Sequence, residues 1–384
     1  MGAVENIARP QSGTMPFDEL LEAVAARRRD FDEAQEVGPD VVHMMRRAGI
    51  FRALVAKRFG GDEVSPAEFI RMIERIAIVD GSAAWVASFG HTAAYITALP
   101  VETLGEIYAH GPDVNICGAL FPPHNAPAVD GGFLVSGKWK FGSGTPGADL
   151  VGVGIKAEGL NDGGMPRMAL MPRDKVSIAP NWDVIGLRGT GSHDVVVDKV
   201  LVPREWTFIR GGPSSLDTPL YRYPVMSLAA QVLAVVGLGV ARSALDTLVE
   251  MANGRGSITG APVLAERAYV QNDVAQAEAA LRSARAFFYE TTEEAFALLQ
   301  AGDLLPVEQV NLLRLASTQA ASVGVEVAQM AYKLSGTTAI YRDHPIARAL
   351  NDALVVAQHA FLSSGTWQNA GRVLLGLESV PGFP

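Results

Sequence analysis

Between Pro112 and Pro213 the chain loses the helical period that it keeps on both sides. Proline and glycine clusters ("FPPHNAP", "DGG", "NDGGMP", "GLRGTGSHD") cut this stretch into short runs such as "GFLVSGKWKF", "DLVGVGIKA", "MALMP" and "DVVVDKVLVP". Proline removes a helix donor and glycine adds backbone freedom, so neither suits the interior of a long helix. Short β-rich runs between such breakers predict a compact antiparallel barrel or sandwich.

The flanks read differently. "FDELLEAVAARRRDFDEAQ" repeats its apolar positions at three- and four-residue spacing, and "SPAEFIRMIERIAIVDGSAAWVASFGHTAAYITAL" opens on a Ser-Pro start signal and keeps the same period. After "GGPSSLDTP" four long helices are predicted at about 224–253, 263–300, 307–335 and 345–376, separated by loops with Gly254, Gly256, Gly260, Gly302 and Gly336. The expected organisation is mainly α with a central β domain. It has an N-terminal helical domain over 1–111, a middle β-barrel over 112–213 and a C-terminal four-helix bundle over 214–384.

Charge and cysteine content narrow the function. A net charge of −9 lacks the basic surface that replaces nucleic-acid counterions, and the run Arg27-Arg28-Arg29 is followed at once by Asp30, Asp32 and Glu33, as on a solvated helix face. The single Cys117 excludes an intrachain disulfide, and with no apolar core in the N-terminal segment the expected location is cytoplasmic. The uncharged run Tyr223 to Ala241 has the length of a membrane span. Pro224, Ser227 and Gln231 within it favour a helix buried in the bundle, and no membrane partner is expected.

Familiar catalytic signatures are missing. There is no GxSxG elbow, HExxH or Walker loop, and Gly237-Leu238-Gly239 lacks a third glycine and lies in a helix, where it permits close packing. The seven histidines show no metal-ligand pair on one helix turn, so no metal site is expected.

One stretch does carry chemistry. "GKWKFGSG" places Trp139 and Phe141 one residue apart, on one face of a strand, before the backbone turns on Gly142-Ser143-Gly144. The longer segment "ICGALFPPHNAPAVDGGFLVSGKWKFGSG", with "GLRGTGSHDVVVDKVLVP" and "RDHPIARALNDALVVAQHAF", resembles the acyl-CoA dehydrogenase fold, and more closely its flavin-dependent monooxygenase branch, over about 80 to 375. The resemblance implies that Trp139 and Phe141 flank an isoalloxazine ring while Ser143 and the amides near Gly144 bond its polar edge.

The two branches of that fold differ in their site residues. A dehydrogenase needs a carboxylate to take the proton alpha to a thioester carbonyl. The two positions that would hold it correspond here to the neighbourhood of His359-Ala360, aligned on Asp352, and to Ala229; neither is acidic. The resemblance implies instead that His91, His359 and Ser143 surround the reactive edge of the flavin. Reduced flavin and O2 would form a C4a-hydroperoxide, Ser143 would bond flavin N5, one histidine would bond the peroxide and the other would take a proton from the substrate. Imidazole suits this because its unperturbed pKa of about 6.5 lets it serve as acid or base near neutrality.

Arg255 and the turn at Gly336 match positions near the flavin tail, although Ile258-Thr259 stand where the family carries an aromatic-glycine pair, which leaves FMN and FAD both open. Without an NAD(P)H site, reduced FMN or FADH2 is expected from a separate reductase. The resemblance also implies a homotetramer acting on a small aromatic substrate, most simply a phenol. Sulfur or nitrogen oxygenation, an acyl-CoA dehydrogenase or oxidase with a displaced base, and a scaffold without chemistry are the alternatives.

Overall fold

The computed structural model describes residues 14–163, 165–254, 262–380 and 383. Helices come first, from Phe17–Ala26 to Val101–Ile107; strands run from Ile116–Ala126 to Thr207–Ile209; helices resume at Pro219–Arg222. The described residues group into two compact units: one holds those up to Phe69 with Val86–Asp183 and Arg188–Met226, the other Ile70–Trp85, Val184–Leu187 and Ser227 onward.

In the first unit, Ser65 opens the helix Pro66–Val79 with a reciprocal cap. The Ser65 N–H donates to the Glu68 carboxylate at 2.8 Å, and the Glu68 N–H donates to the Ser65 hydroxyl at 3.2 Å. Two donors that a helix start leaves orphaned are thereby satisfied. Beyond Gly81–Ser88 the helical pattern expected from the sequence breaks into short turns, Phe89–His91, Thr92–Tyr95 and Ile96–Ala98. The break coincides with Gly90, where a Cβ would stand 2.6 Å from the Ile50 carbonyl oxygen. His91 therefore sits in a tight 3₁₀ turn and not on a regular helix.

Among the described residues eight strands follow: β1 (Ile116–Ala126), β2 (Ala128–Val129), β3 (Gly132–Trp139), β4 (Leu150–Ala157), β5 (Arg167–Pro172), β6 (Ser177–Ala179), β7 (Asp194–Pro203) and β8 (Thr207–Ile209). They form two four-stranded sheets, ordered β1-β4-β5-β8 and β2-β3-β7-β6. Pairing is antiparallel except between β1 and β4, which run parallel from Ile116 opposite Leu150. The exception follows from connectivity: β2 and β3 belong to the other sheet, so the chain crosses over before it returns beside β1.

In the second unit the long helices are Val225–Ala252, Ala268–Ala301 and Val307–Ser335. Val225–Ala252 is long and apolar enough to cross a membrane, but most of its apolar length is buried inside the protein. Gly239 lies so close to Ala77 that a Cβ would collide with it, and Gly324 faces the Gly237 carbonyl, which gives the small residues of that helix a packing role. Two of this unit's buried polar side chains are matched with others: Glu74 accepts two bonds from Arg285 at 2.7 and 2.8 Å and one from the Tyr289 hydroxyl at 2.7 Å, and Gln231 donates to Thr292 at 2.6 Å. The fourth helix expected over 345–376 is interrupted. Pro345–Ala357 ends, Ala360–Leu362 makes a 3₁₀ turn, and Ser364–Leu374 starts anew.

Candidate active site

β3 stops at Trp139, and the backbone then leaves the sheet. Phe141 has φ +63°, a left-handed conformation that costs a non-glycine residue about 1–2 kcal/mol. Side-chain alternation fails as soon as the strand ends. Trp139 is 0% exposed, its Nε1 donating to the Gly154 carbonyl at 2.8 Å, whereas Phe141 is 67% exposed. The two aromatics expected on one face are thus one enclosed and one presented. Trp139 has no surface to offer a ring and is withdrawn as a flavin contact; Phe141, edge-on to Trp182 with centroids 6.3 Å apart, remains a candidate.

The turn that follows is laced to residues 190–193. Gly142 N–H donates to the His193 carbonyl at 2.9 Å and Gly144 N–H to the Thr190 carbonyl at 2.8 Å. Gly144 has φ +70°, and a Cβ there would stand 2.9 Å from Cys117 Sγ, so both conformation and space require glycine. Between these two backbone ties lies a row of buried hydroxyls: Ser143 Oγ is 2.5 Å from Ser192 Oγ, which is 2.6 Å from Thr190 Oγ1. Two links among three hydroxyls use two protons and leave one to donate beyond the row. Thr190 and Ser192 were not singled out from the sequence. Their only signal is the run of small residues "GTGSH", which reads equally well as a turn.

Two other histidines brace this region. His193 Nδ1 accepts from the Asn181 and Trp182 N–H groups at 3.0 Å each, and His124 Nε2 donates to the Lys138 carbonyl at 3.0 Å while its ring stands edge-on to Trp139 at 4.8 Å. Both hold loops in place.

His91 is buried in the same unit, with Nδ1 2.6 Å from the Ser88 carbonyl oxygen. A carbonyl only accepts, so Nδ1 carries the hydrogen and the lone pair of the neutral ring lies on Nε2. Phe89 links it to the turn: the Phe89 ring is 3.8 Å from where a Gly144 Cβ would be and its centroid is 6.1 Å from that of His91. Tyr95 stands edge-on to His91 at 5.3 Å, and its hydroxyl accepts from Arg210 Nη2 at 3.1 Å. The first unit therefore gathers Phe141, Ser143, Gly144 and His91.

His359 belongs to the second unit, at the helix interruption and not within a helix as expected. Its Nδ1 accepts from the Phe361 N–H at 3.3 Å, capping the turn Ala360–Leu362, and its ring is flanked edge-on by Trp85 at 6.0 Å and Phe361 at 5.1 Å. Here the accepting Nδ1 puts the neutral ring's hydrogen on Nε2, the opposite tautomer to His91. His344 likewise caps a helix, accepting from Ile346 N–H at 3.3 Å. Gly336 ends the helix Val307–Ser335 with φ +59°. Arg255 lies outside the described residues.

A family model described as acyl-CoA dehydrogenase, C-terminal domain, matches residues 231–364. The chain is 54% identical over 369 residues to the indole-3-acetate monooxygenase of Pseudomonas putida, covering 96% of this chain and 95% of that protein. It is 46% identical over 376 residues to the protein of the same name from Acinetobacter baumannii, covering 97% of each. Among solved structures, the HsaA monooxygenase from M. tuberculosis superposes with a TM-score of 0.86 at 26% identity, over 95% of this chain and 97% of that one.

Proposed function

The chain belongs to the flavin-dependent monooxygenases built on the acyl-CoA dehydrogenase fold, and from that premise we propose that it is an oxygenase component acting on indole-3-acetate or a close aromatic analogue. The simplest expectation from sequence was a phenol. An indole is equally electron-rich, and it is the ring in the names of both high-identity relatives. The observation that carries the reading is the turn after β3, where an exposed aromatic, a buried hydroxyl and a glycine-only backbone meet within four residues, Phe141–Gly144.

These residues fit a flavin. The Phe141 face would pack on its ring and the turn would line its polar edge, with the row Thr190, Ser192, Ser143 running so that the leftover proton is donated by Ser143. Reduced FMN or FADH2 from a separate reductase would, when bound there, supply the two electrons needed to place one oxygen atom of O2 on the substrate and convert the other to water. Gly336, and Arg255 beyond the described residues, are proposed for the flavin tail.

The chain's own residues handle protons. His91, fixed by Ser88, takes at Nε2 the proton that the aromatic ring releases on gaining oxygen; burial keeps water from competing for that site. His359 is assigned a donor role through its Nε2 hydrogen, since Nδ1 is engaged by the Phe361 amide. The assembly is proposed to be a homotetramer, which would cover exposed apolar side chains such as Ile340, Tyr341, Leu374 and Leu375.

The test is stopped-flow mixing of the protein and anaerobically reduced FMN, then FADH2, with oxygenated buffer. A transient absorbance before that of oxidised flavin, decaying faster with indole-3-acetate and giving an oxygenated product, is expected. Direct reoxidation with both flavins and no product sinks the reading.

A further inference from the structure

We propose that Asn115, acting with Cys117, is a positioning residue for oxygen transfer: it sets where the turn at Ser143 and Gly144 stands against the flavin. This rests on the monooxygenase reading above and adds to it a determinant of coupling. Asn115 is fully buried just ahead of β1, and its backbone is fixed where the parallel pair of β1 and β4 begins. Its N–H donates to the Asp149 carboxylate at 2.8 Å, and its carbonyl accepts from the Asp149 N–H at 2.8 Å. Arg46 holds the same carboxylate with both ends of its fork, Nη1 at 2.9 Å and Nη2 at 3.3 Å. The Asn115 side chain therefore leaves from one defined place.

Both ends of that amide serve the turn. Nδ2 donates to the Gly147 carbonyl at 2.9 Å; a carbonyl only accepts, so the amide oxygen faces the other way, where Cys117 Sγ donates to it at 3.4 Å. The thiol keeps its hydrogen for this bond, because burial and then the charge of Asp149 push its pKa up. Its sulfur lies against Gly144, 2.9 Å from where a Cβ would stand. The Gly147 N–H closes on the Gly144 carbonyl at 3.1 Å, so a single side chain holds both ends of the stretch from Gly144 to Gly147. Phe141 and Gly144 are both in the left-handed region, and such a backbone persists only where its surroundings over-determine it. The bonds to Thr190 and His193 are one constraint; Asn115 and Cys117 are a second, from a different strand. Ser143 moves with Gly144, and a shift of about 1 Å in a group that positions the reaction can cost about 10²-fold.

Amide hydrogen exchange over residues 142–147 of the flavin-free protein is measured beside product yield and peroxide release with reduced FMN and indole-3-acetate. The proteins are wild type, Asn115→Leu, Cys117→Ala, Cys117→Ser, Ser143→Ala and the double variant Cys117→Ala with Ser143→Ala. Cys117→Ala should exchange this segment at least about tenfold faster than wild type, as expected for loosening of a local unit in a folded protein. It should also lose coupled product at least about tenfold through misplacement of the turn. Cys117→Ser keeps a donor for the Asn115 oxygen and should restore most of both. Asn115→Leu keeps the bulk without the bonds and should behave as Cys117→Ala or worse; if it fails to fold, the Cys117 variants still decide. In the double variant, Cys117→Ala should add little peroxide to what Ser143→Ala already releases, whereas a role confined to stability would add in full. Wild-type exchange and coupling in Cys117→Ala, no rescue by serine, or additive peroxide release overturns the proposal. Exchange answers for Asn115 and Cys117 whether or not oxygen is transferred, and absence of product from wild type counts against the monooxygenase reading alone.

Discussion

The Nδ1 of His91 donates to the carbonyl of Ser88, three residues back, across 2.6 Å inside a 3₁₀ turn, and this one bond decides which ring nitrogen can take a proton. Asparagine at this position keeps an amide donor for the Ser88 carbonyl while removing the base. His91→Asn is expected to bind flavin as wild type does and to lose product formation by about 10²-fold or more, the usual contribution of a positioned general base. Product yield per flavin oxidised and flavin affinity, measured together, check it; an unchanged yield removes His91 from proton transfer.

His359 should respond in the opposite way to the same logic. Glutamine retains an N–H at the far end of the side chain but cannot hold the backbone of Phe361 as the ring does. If the Nε2 donor matters, His359→Gln keeps more coupled product than His359→Ala, both releasing more hydrogen peroxide than wild type. Equal coupling in all three proteins would exclude the assigned role.

The buried hydroxyl row makes a further prediction. Ser192→Ala leaves Ser143 in place but removes the neighbour 2.5 Å away that fixes its hydroxyl. The variant should fold, bind flavin and leak peroxide nearly as much as Ser143→Ala, because an unoriented donor is worth little in a preorganised site. A peroxide assay on the two single variants and the double variant checks the coupling; additive effects would show that Ser192 acts elsewhere.

Much of this was readable in advance. The helical, β, helical order follows from where proline and glycine cut the hydrophobic period, and the turn at Ser143 from its glycines. What escaped depends on partners distant in sequence or on a single dihedral. Ser192 lies 49 residues from Ser143, and no local pattern marks a hydroxyl whose partner arrives from another strand. The alternation rule that put Trp139 and Phe141 on one face holds only while a strand continues; φ +63° at Phe141 ends it. The interruption at Gln358-His359 carries neither proline nor glycine, so the helical period runs through a place where His359 turns extended and its side chain caps the next turn.

Away from the site, the Glu278 carboxyl is held below its ordinary value of 4.5 by hydrogen bonds from Arg242 and then Arg282, against a smaller opposing effect of burial. A depressed folded-state pKa contributes stability that is present above the unfolded value and is lost as pH falls through the folded one. Glu278→Gln should therefore be less stable than wild type at pH 7, by about 0.5–1 kcal/mol for a pair this exposed to solvent. The gap should close below pH 4.5, on the acid side of the unfolded carboxyl. Chemical unfolding at several pH values checks it, and a gap that persists in acid would mean that the loss is one of packing.

Trp139 separates a structural aromatic from a flavin contact. Its indole N–H donates to the Gly154 carbonyl from a position with no exposed surface, and the His124 ring packs on it while holding the Lys138 carbonyl. Phenylalanine keeps most of the apolar bulk but leaves the Gly154 carbonyl without that donor, a change that costs about 1–3 kcal/mol in a buried place. Trp139→Phe should thus lower the melting temperature while leaving the affinity of the folded protein for FMN close to wild type. Phe141→Ala should do the reverse, because its ring is already in solvent and its removal opens no cavity. Thermal unfolding and fluorescence titration with FMN on both variants read out the two effects separately; FMN binding lost in Trp139→Phe and retained in Phe141→Ala would exchange the roles of the two aromatics.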